Sequence, residues 1–450
     1  MPETLKQVLD KMWGHNVAQE EKARRANTVM LIDYYGGDQE KYISKYIKLD
    51  QKLDAFPFYW TKLTSRIIDK KSEVYKLAPL RTFGDETERN EDYQDITKKK
   101  NIRLKVAERQ ANLLGTIGFR PFVTPKNTFD YLMVRDFQAV FDVGLEPTAI
   151  RYPVATAALE KDVIYMYWSD EFNFLMTADN VTIKEAEQLE RFGVPEDGVN
   201  PYGVIPFVYL HNKEIIDDFW NTAGNADDLA NANLHINMKL TEMSHKYRFK
   251  SFNPVWITGV DAKSSDVKFG YDRVLTIADS EADVGHLASE HMFADDIEVI
   301  KFEIQQIERN YHLNITWGIE GSAPSGFSLV VQNMAHMDDL EDFTDVARDW
   351  EDQIVEMERV IGKVDGLSVP EGDLRVDFTE IRQPISQDEK NKKWDFEFKN
   401  KLSTRRDYWK SENPDISEEE LDEREEALKT EAETLKTGFT TDDLFTTEEE

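Results

Sequence analysis

The stretch Gly321-Ser322-Ala323-Pro324-Ser325-Gly326 is the nearest approach to a hydrolase nucleophile in this 450-residue chain. A nucleophile elbow needs G-x-S-x-G between a strand and a helix, so that the serine hydroxyl stands exposed on a tight turn. That spacing is absent and the flanks read as helices, so the stretch reads as an exposed loop. His286 and the Glu290-His291 pair could offer imidazole and carboxylate to a metal, but their spacing matches neither H-E-x-x-H nor its inverse. With no cysteine there is no thiolate metal site, cysteine nucleophile or disulfide scaffold, which fits a reducing compartment. The acidic pairs Asp217-Asp218, Asp227-Asp228 and Asp338-Asp339 could serve as acid and base only if their surroundings drove their proton affinities apart. In so acidic a chain they read as solvated. Neither G-x-x-x-x-G-K-[ST] nor a strand-to-helix G-x-G-x-x-G occurs, so any ATP-driven step belongs to a partner. The expectation is a protein with no catalytic residues, no metal and no cofactor.

The formal net charge is -32 and the isoelectric point about 4.7. A protein that grips nucleic-acid phosphates carries a basic patch, so tight binding is not expected. Weak contact is a different matter, because a wall past which a polyanion slides benefits from not attracting it. Hydrophobic residues at 40% suffice for real cores, and charged residues at 32% imply a large solvated surface. The longest apolar runs fall far short of the roughly 20 residues that cross a bilayer, and the acidic amino terminus does not resemble a signal peptide. A soluble chain of about two to four domains follows.

The positioning elements centre on residues 222–366. A helix is predicted over 225–250, with Leu229, Ile236, Leu240, Met243 and Tyr247 along one face. Asp227 and Asp228 fall in its first turn and Lys246, Arg248 and Lys250 in its last, as the helix dipole favours, and Pro254 stops it. A second helix over 295–313 repeats the pattern with Ile297, Ile300, Ile304, Ile307 and Tyr311, and Asp295 with Glu298 suits a capping box. Between them, 255–258, 273–277 and 285–288 read as short strands of a sheet too small to stand alone. Glycines and serines make 314–328 a loop. A long helix follows from Leu329 to Ile361, then a strand at 374–378.

Upstream, helices are predicted around Leu5 to Met12, over 23–35, 58–77 and 99–114, with 85–95 as an acidic loop. From Phe119 the period changes to that of strands, at 119–123, 137–141, 149–154 and 163–168. A helix at 184–192 and a turn feeding a strand at 200–208 complete this module. Residues from 386 onward read as acidic helices ending in a disordered tail. The fold class expected is α+β, mainly helical.

This order of elements resembles the portal proteins of tailed bacteriophages. The resemblance rests on Ala111-Asn112-Leu113-Leu114-Gly115 leading into Phe119, and on Asn200 to Val208, which is similar to an N-x-x-G-x-I-P-F segment. It continues with the helix running into Pro254-Val255-Trp256-Ile257-Thr258-Gly259, and with Pro324-Ser325-Gly326-Phe327-Ser328-Leu329, similar to the S-G-x-A-L that opens the family's long helix. Phe327 departs from the small residue usual there. Phe398 to Arg405, Pro414-Asp415 and Glu418 to Glu431 resemble the closing region.

The resemblance implies a multidomain subunit: a wing (1–221, with its β-rich module at 119–210), a stem of two helices (222–252 and 293–313), and a clip (253–292). It further implies a tunnel loop (314–328), a long helix with a wing return strand (329–384), a crown (385–435) and an acidic disordered tail (436–450). Such subunits form a ring, typically of twelve, at one capsid vertex, through which the genome is packaged and ejected. They have no enzymatic activity of their own. Implied partners are identical subunits, weakly and non-specifically held double-stranded DNA, the terminase large subunit, the head-completion adaptor, and the scaffolding and major capsid proteins, with no membrane. The implied location is the virion, after assembly in the host cytoplasm. Thr316, Trp317, Gly318, Glu320, Ser322 and Ser325 would face DNA in the tunnel loop. Lys246, Arg248 and Lys250 would form a basic band near the clip, felt over roughly 8 Å at physiological salt. Trp256, Lys263, Lys268, Tyr271 and Arg273 would serve in clip docking. The alternatives are a soluble acidic hydrolase with a carboxylate pair assembled in space, or another oligomeric head-tail connector protein.

Overall fold

The computed structural model describes residues 19–47, 58–84, 87–142, 144–155, 163–251, 255–258, 283–286, 293–313, 326–378, 387–400, 403–412, 416, 420–422 and 424–428. Two compact units divide the chain: residues 1–320 with 332–381, and residues 321–331 with 382–450. The fold mixes helix and antiparallel sheet and is mainly helical.

In the larger unit, α1 (Gln19–Gly36), α2 (Glu40–Tyr46) and α3 (Leu63–Lys71) come first. The single helix expected over 58–77 is α3 alone, followed by a short 3-10 turn at Val74–Lys76. Side chains from distant elements cause the difference. The Glu108 carboxylate accepts the Val74 and Tyr75 backbone N–H groups at 2.9 and 3.0 Å, while Thr241 and Asn237 hold the backbone of Tyr59 and Thr61. Such anchors satisfy backbone groups outside a helix and so release the chain from helical geometry.

After β1 (Leu80–Thr82), α4 (Thr87–Ile96) occupies most of the stretch expected to be an acidic loop. Its composition has no apolar stripe. Tyr93 supplies the missing reason: buried, it meets Phe83 edge-on at 4.9 Å and donates its hydroxyl to Glu358 at 2.8 Å. Tertiary packing of one aromatic stabilises a helix that its sequence alone does not announce. The following helix, α5 (Lys100–Leu114), ends on Gly115, whose φ is +85°. A Cβ there would lie 2.6 Å from the Asn221 carbonyl oxygen and 2.7 Å from that of Trp220, so the left-handed turn and the close backbone pass both require glycine.

β2 (Thr116–Val123) lies centrally between β3 (Phe129–Val134) and, at the edge, the strand Val208–His211. A five-stranded antiparallel sheet follows in sequence order: β4 (Gln138–Val140), β5 (Ala149–Ala155), β6 (Ile164–Ser169), β7 (Asn173–Thr177) and β8 (Thr182–Ile183). β3 and β7 were not expected as strands; each is completed by pairing, Phe119 opposite Met133 and Tyr167 opposite Phe174. α6 (Ala186–Phe192) leads to the turn before β9 (Val208–His211). Asn200 organises that turn: its amide donates to the Ser169 and Val204 carbonyls at 2.7 and 2.8 Å, and its oxygen accepts from Tyr202 N at 3.0 Å. Gly203 supplies the positive φ, so the N-x-x-G spacing has a mechanical meaning.

α7 (Asp227–Ser251), β10 (Val255–Thr258), β11 (Asp283–His286) and α8 (Phe293–Asn310) then follow, with β10 antiparallel to β11. α9 (Gly326–Asp365) is the long helix expected, but it begins at Gly326, so residues 326–328 of the expected loop are helical, and β12 (Arg375–Asp377) pairs with β1. A continuous apolar core joins Leu31, Leu104, Leu229, Ile304, Trp350 and their neighbours, and a second core under the five-stranded sheet centres on Phe137, Trp168 and Leu175.

In the smaller unit, α10 (Gln387–Lys399) and α11 (Arg405–Glu412) are helical as expected. Thr404 and Asp407 form a reciprocal capping box, with Thr404 N donating to Asp407 at 2.7 Å and Asp407 N to the Thr404 hydroxyl at 3.3 Å. Trp394 meets Tyr408 edge-on at 5.1 Å. The expected segments at 5–12, 273–277 and 436–450 lie outside the described residues.

Candidate functional site

α7 and α8 form an antiparallel pair carrying the two-stranded insert at its far end. The direction follows from its cross-links: Tyr311 donates to Asp228 at 2.6 Å near one end, Lys239 pairs with Glu303 in the middle, and Lys246 reaches Asp296 at 3.6 Å near the insert. Leu229, Ile236, Ile300, Ile304 and Ile307 are buried, but Tyr247 is 65% and Ile297 43% exposed. The apolar row expected to pack along the full length is therefore buried only in the half backed by α1, α2 and α3. Beyond them, the Tyr247 ring meets Phe293 at 5.5 Å while staying largely in solvent.

Both ends of α8 refine the sequence reading. The helix begins at Phe293, so Asp295 sits in the first turn and acts on the helix dipole, not as the start of a capping box. At the other end His312 has φ +53°, His312 N donates to the Arg309 carbonyl at 3.1 Å and Leu313 N to that of Glu308 at 2.8 Å, a left-handed cap. On the far side of α8 from its buried isoleucines, Val299 and Phe302 are 49% and 60% exposed.

Of the expected basic band, Lys246 is half exposed and its charge faces Asp296, so it is already compensated. Arg248 and Lys250 lie in the last turns of α7, with side chains outside the described residues. Trp256 falls in β10 opposite Gly285. Lys263, Lys268, Tyr271 and Arg273, and the loop residues Thr316, Trp317, Gly318, Glu320, Ser322 and Ser325, lie outside the described residues. The acidic pairs are each split by a structural bond. Asp218 accepts from Thr222 N at 2.8 Å and Trp220 N at 3.0 Å, Asp228 accepts from Tyr311, and Asp339 faces His312 at 2.8 Å. Burial pushes the Asp218 carboxyl up, but its bonds to Thr222 and Trp220 outweigh that and hold it below the usual carboxylate range.

Two polar constellations were not anticipated. On α7, Asn233, Asn237 and Thr241 are wholly buried at four-residue steps and grip the segment 58–64, which leads into α3. Asn233 accepts from Thr64 N at 3.1 Å, Asn237 from Thr61 N at 2.9 Å, and Thr241 from Tyr59 N at 3.0 Å. The i, i+4, i+8 polar stripe is legible in the sequence; that a second segment lies on it is not.

The other constellation joins α9 to α4, α5, β1 and β3. Arg81 donates both Nε and Nη2 to Glu351, at 2.9 and 2.5 Å, and the Lys100 Nζ lies 3.1 Å from Glu351 and 3.3 Å from Glu358. Tyr93 and Tyr131 donate to the two Glu358 oxygens at 2.8 and 2.6 Å. Lys100, Glu351 and Glu358 are 0% exposed, and two cations balance two carboxylates. Burial drives the Glu351 carboxyl up, but Lys100 and Arg81 outweigh it and hold it below the usual range.

The opposite face of α9 borders an open cleft of about 1140 Å³. Val204, Phe207 and Val355 contribute apolar surface, and Glu146, Asp170, Asp352, Glu356 and Asp373 contribute carboxylates. Among the described residues Arg359 is the one basic side chain lining it; its guanidinium is engaged by Glu356, the Pro370 carbonyl at 2.9 Å and the Gly372 carbonyl at 2.5 Å. Burial and then the charges of Asp349, Glu351, Asp373 and Glu356 raise the Asp352 carboxyl above its ordinary value.

On β9, His211 is held by Thr116, whose hydroxyl donates to the Phe219 carbonyl at 2.9 Å and so accepts from His211 Nδ1 at 2.7 Å. Burial lowers the His211 pKa to about 4, against a smaller upward pull from Asp218. Among the described residues no group of three or more His, Asp or Glu is placed to hold a metal ion, and no helix is long and apolar enough to cross a membrane. Comparison with protein-family models and with curated proteins returns no match for this chain.

Proposed function

We propose that this chain is a portal-type subunit: a ring-forming structural protein whose assembled channel passes double-stranded DNA at a capsid vertex. In this reading the α7/α8 pair is the stem, the β10/β11 insert the clip and residues 314–325, ahead of α9, the segment nearest DNA. Terminase, head-completion adaptor, scaffold and capsid shell are its docking partners. The single observation that carries the reading is the helix pair with a two-stranded insert at its tip and apolar side chains, Val299 and Phe302, on its outward side. Exposed aromatic and β-branched residues on an element so weakly backed call for a covering surface, and an identical neighbour supplies one around a ring.

The test is the native mass and symmetry of the purified full-length protein. Particles with cyclic symmetry and a central hole are expected, and the double substitution V299E/F302E should reduce them to smaller species with unchanged circular dichroism. A stable monomer at high micromolar concentration would overturn the reading and favour a monomeric acidic enzyme. A smaller, differently closed oligomer would favour another head-tail connector. Shortening the segment 314–325 should spare the ring and impair DNA packaging or retention.

A further inference from the structure

We infer that the acidic cleft beside α9 is a docking site for an extended, lysine- or arginine-bearing peptide segment of a partner protein, which lies along the free edge of β9. The inference does not depend on ring formation.

β9 is an edge strand: among the described residues only β2 pairs with it in its sheet. Its hydrogen-bonding phase is set at its C-terminal end. Asn212 N donates to the Gly115 carbonyl at 3.0 Å, so with Thr116 opposite His211 and Gly118 opposite Tyr209, the groups that alternate toward β2 are those of Leu210 and Val208. The His211 carbonyl points the other way, where Trp350 Nε1 on α9 donates to it at 3.1 Å. Tyr209 shares that phase, and it lines the cleft. Its backbone N–H and C=O therefore face the cleft as one complete pairing unit for an added strand. The Tyr209 hydroxyl is also buried without a hydrogen-bond partner among the described residues, and Glu146 is the charged group that acts on it.

Charge selects the occupant. Glu146, Asp170, Asp352 and Asp373 have no ion-pair partner among the described residues, and Arg359 is saturated by Glu356 and two carbonyls. Phosphate-bearing ligands are repelled by such a wall. A small polyamine would meet the charge, but would leave the Tyr209 pair and the apolar surface of Val204, Phe207 and Val355 uncovered. An extended peptide meets all three, with backbone on Tyr209, cationic side chains on the carboxylates and alternate apolar side chains on the floor. The cleft also exceeds the roughly 300–1,000 Å³ usual for small-molecule pockets.

Fluorescence anisotropy with full-length protein and fluorescein-labelled (Lys-Val)3-Lys tests this, against (Glu-Val)3-Glu and copies of the lysine peptide carrying one backbone N-methyl group at successive positions. Saturable binding of the lysine peptide alone is expected. N-methylation at one or two positions should weaken it roughly three- to tenfold, the loss of one backbone hydrogen bond, with the remaining positions silent. D352N/D373N should weaken it about fivefold, as for exposed ion pairs. D338N/D342N removes the same charge from another exposed stretch of α9 and should leave affinity unchanged. The proposal is overturned by absence of saturable binding, by N-methyl copies that all bind alike, or by equal losses from the two asparagine pairs.

Discussion

Glu351 and Asp352 are neighbours on one helix, and their carboxylates live under opposite rules. Glu351 is sealed from solvent between Arg81 and Lys100, with Glu358 about two helical turns further on in the same network. Asp352 stands at the cleft among Asp349, Glu356 and Asp373, with no cation of its own among the described residues. On the buried face every charge has an opposite within hydrogen-bonding reach, so the helix is locked to α5 and β1. On the open face like charges accumulate because solvent screens them, and they are left for something else to neutralise.

The contrast is broken most severely at Lys100. K100M leaves buried Glu358 without a cation and Glu351 with Arg81 alone, and should cost about 3–5 kcal/mol in chemical denaturation, part of it restored in K100M/E358Q. A loss below about 1 kcal/mol would mean that water already reaches the network.

A pH titration probes the three-stranded sheet through His211. Its pKa falls from an unfolded value near 6.5 to about 4 in the fold, so the unfolded chain binds the proton first. Its effect on stability is therefore absent above pH 6.5 and grows unfavourably as pH falls toward 4, by up to about 3 kcal/mol. The difference between wild type and H211Q should follow that window. Glu108 opposes it: burial raises its carboxyl to about 7 against two backbone N–H bonds, so its contribution improves as pH falls from 7 toward 4.5. A wild-type profile alone would merge the two.

A smaller effect is expected at Asn237, where N237A leaves the Thr61 N–H and the Gln39 side chain without their partner. A loss of about 1–3 kcal/mol should appear with faster hydrogen exchange over 58–64. Smallest, and of opposite sign, is D352N. Because the Asp352 carboxyl is raised by its surroundings, its ionised form costs stability above the unfolded pKa, and the cost relaxes as pH falls through the folded value. D352N should therefore raise the melting temperature slightly at pH 7, within about 0.5 kcal/mol, and have no effect near pH 3. A destabilised D352N would show that the cleft charges are compensated after all.

How far these regions could be read in advance depends on how local their causes are. α7, α8 and α9 announce themselves by apolar periodicity, and α5 ends where Gly115 says it must. α4 carries no stripe, and its helix depends on Tyr93 finding Phe83 and Glu358. β3 and β7 needed their pairing partners. The cleft had no sequence signal, because Glu146, Asp170, Asp352 and Asp373 come from four separate segments.

What the residues determined by themselves is therefore the helical scaffold, the antiparallel module, the turns built on Asn200, Gly203 and Gly115, and the acidic charge: each follows from near-neighbour sterics, hydrogen bonding or composition. What the tertiary structure alone decided is which carboxylates became structural and which stayed open. A carboxylate's role is set by the cations and solvent within a few ångströms of it, and for Glu351 those cations come from residues 81 and 100, far away in sequence.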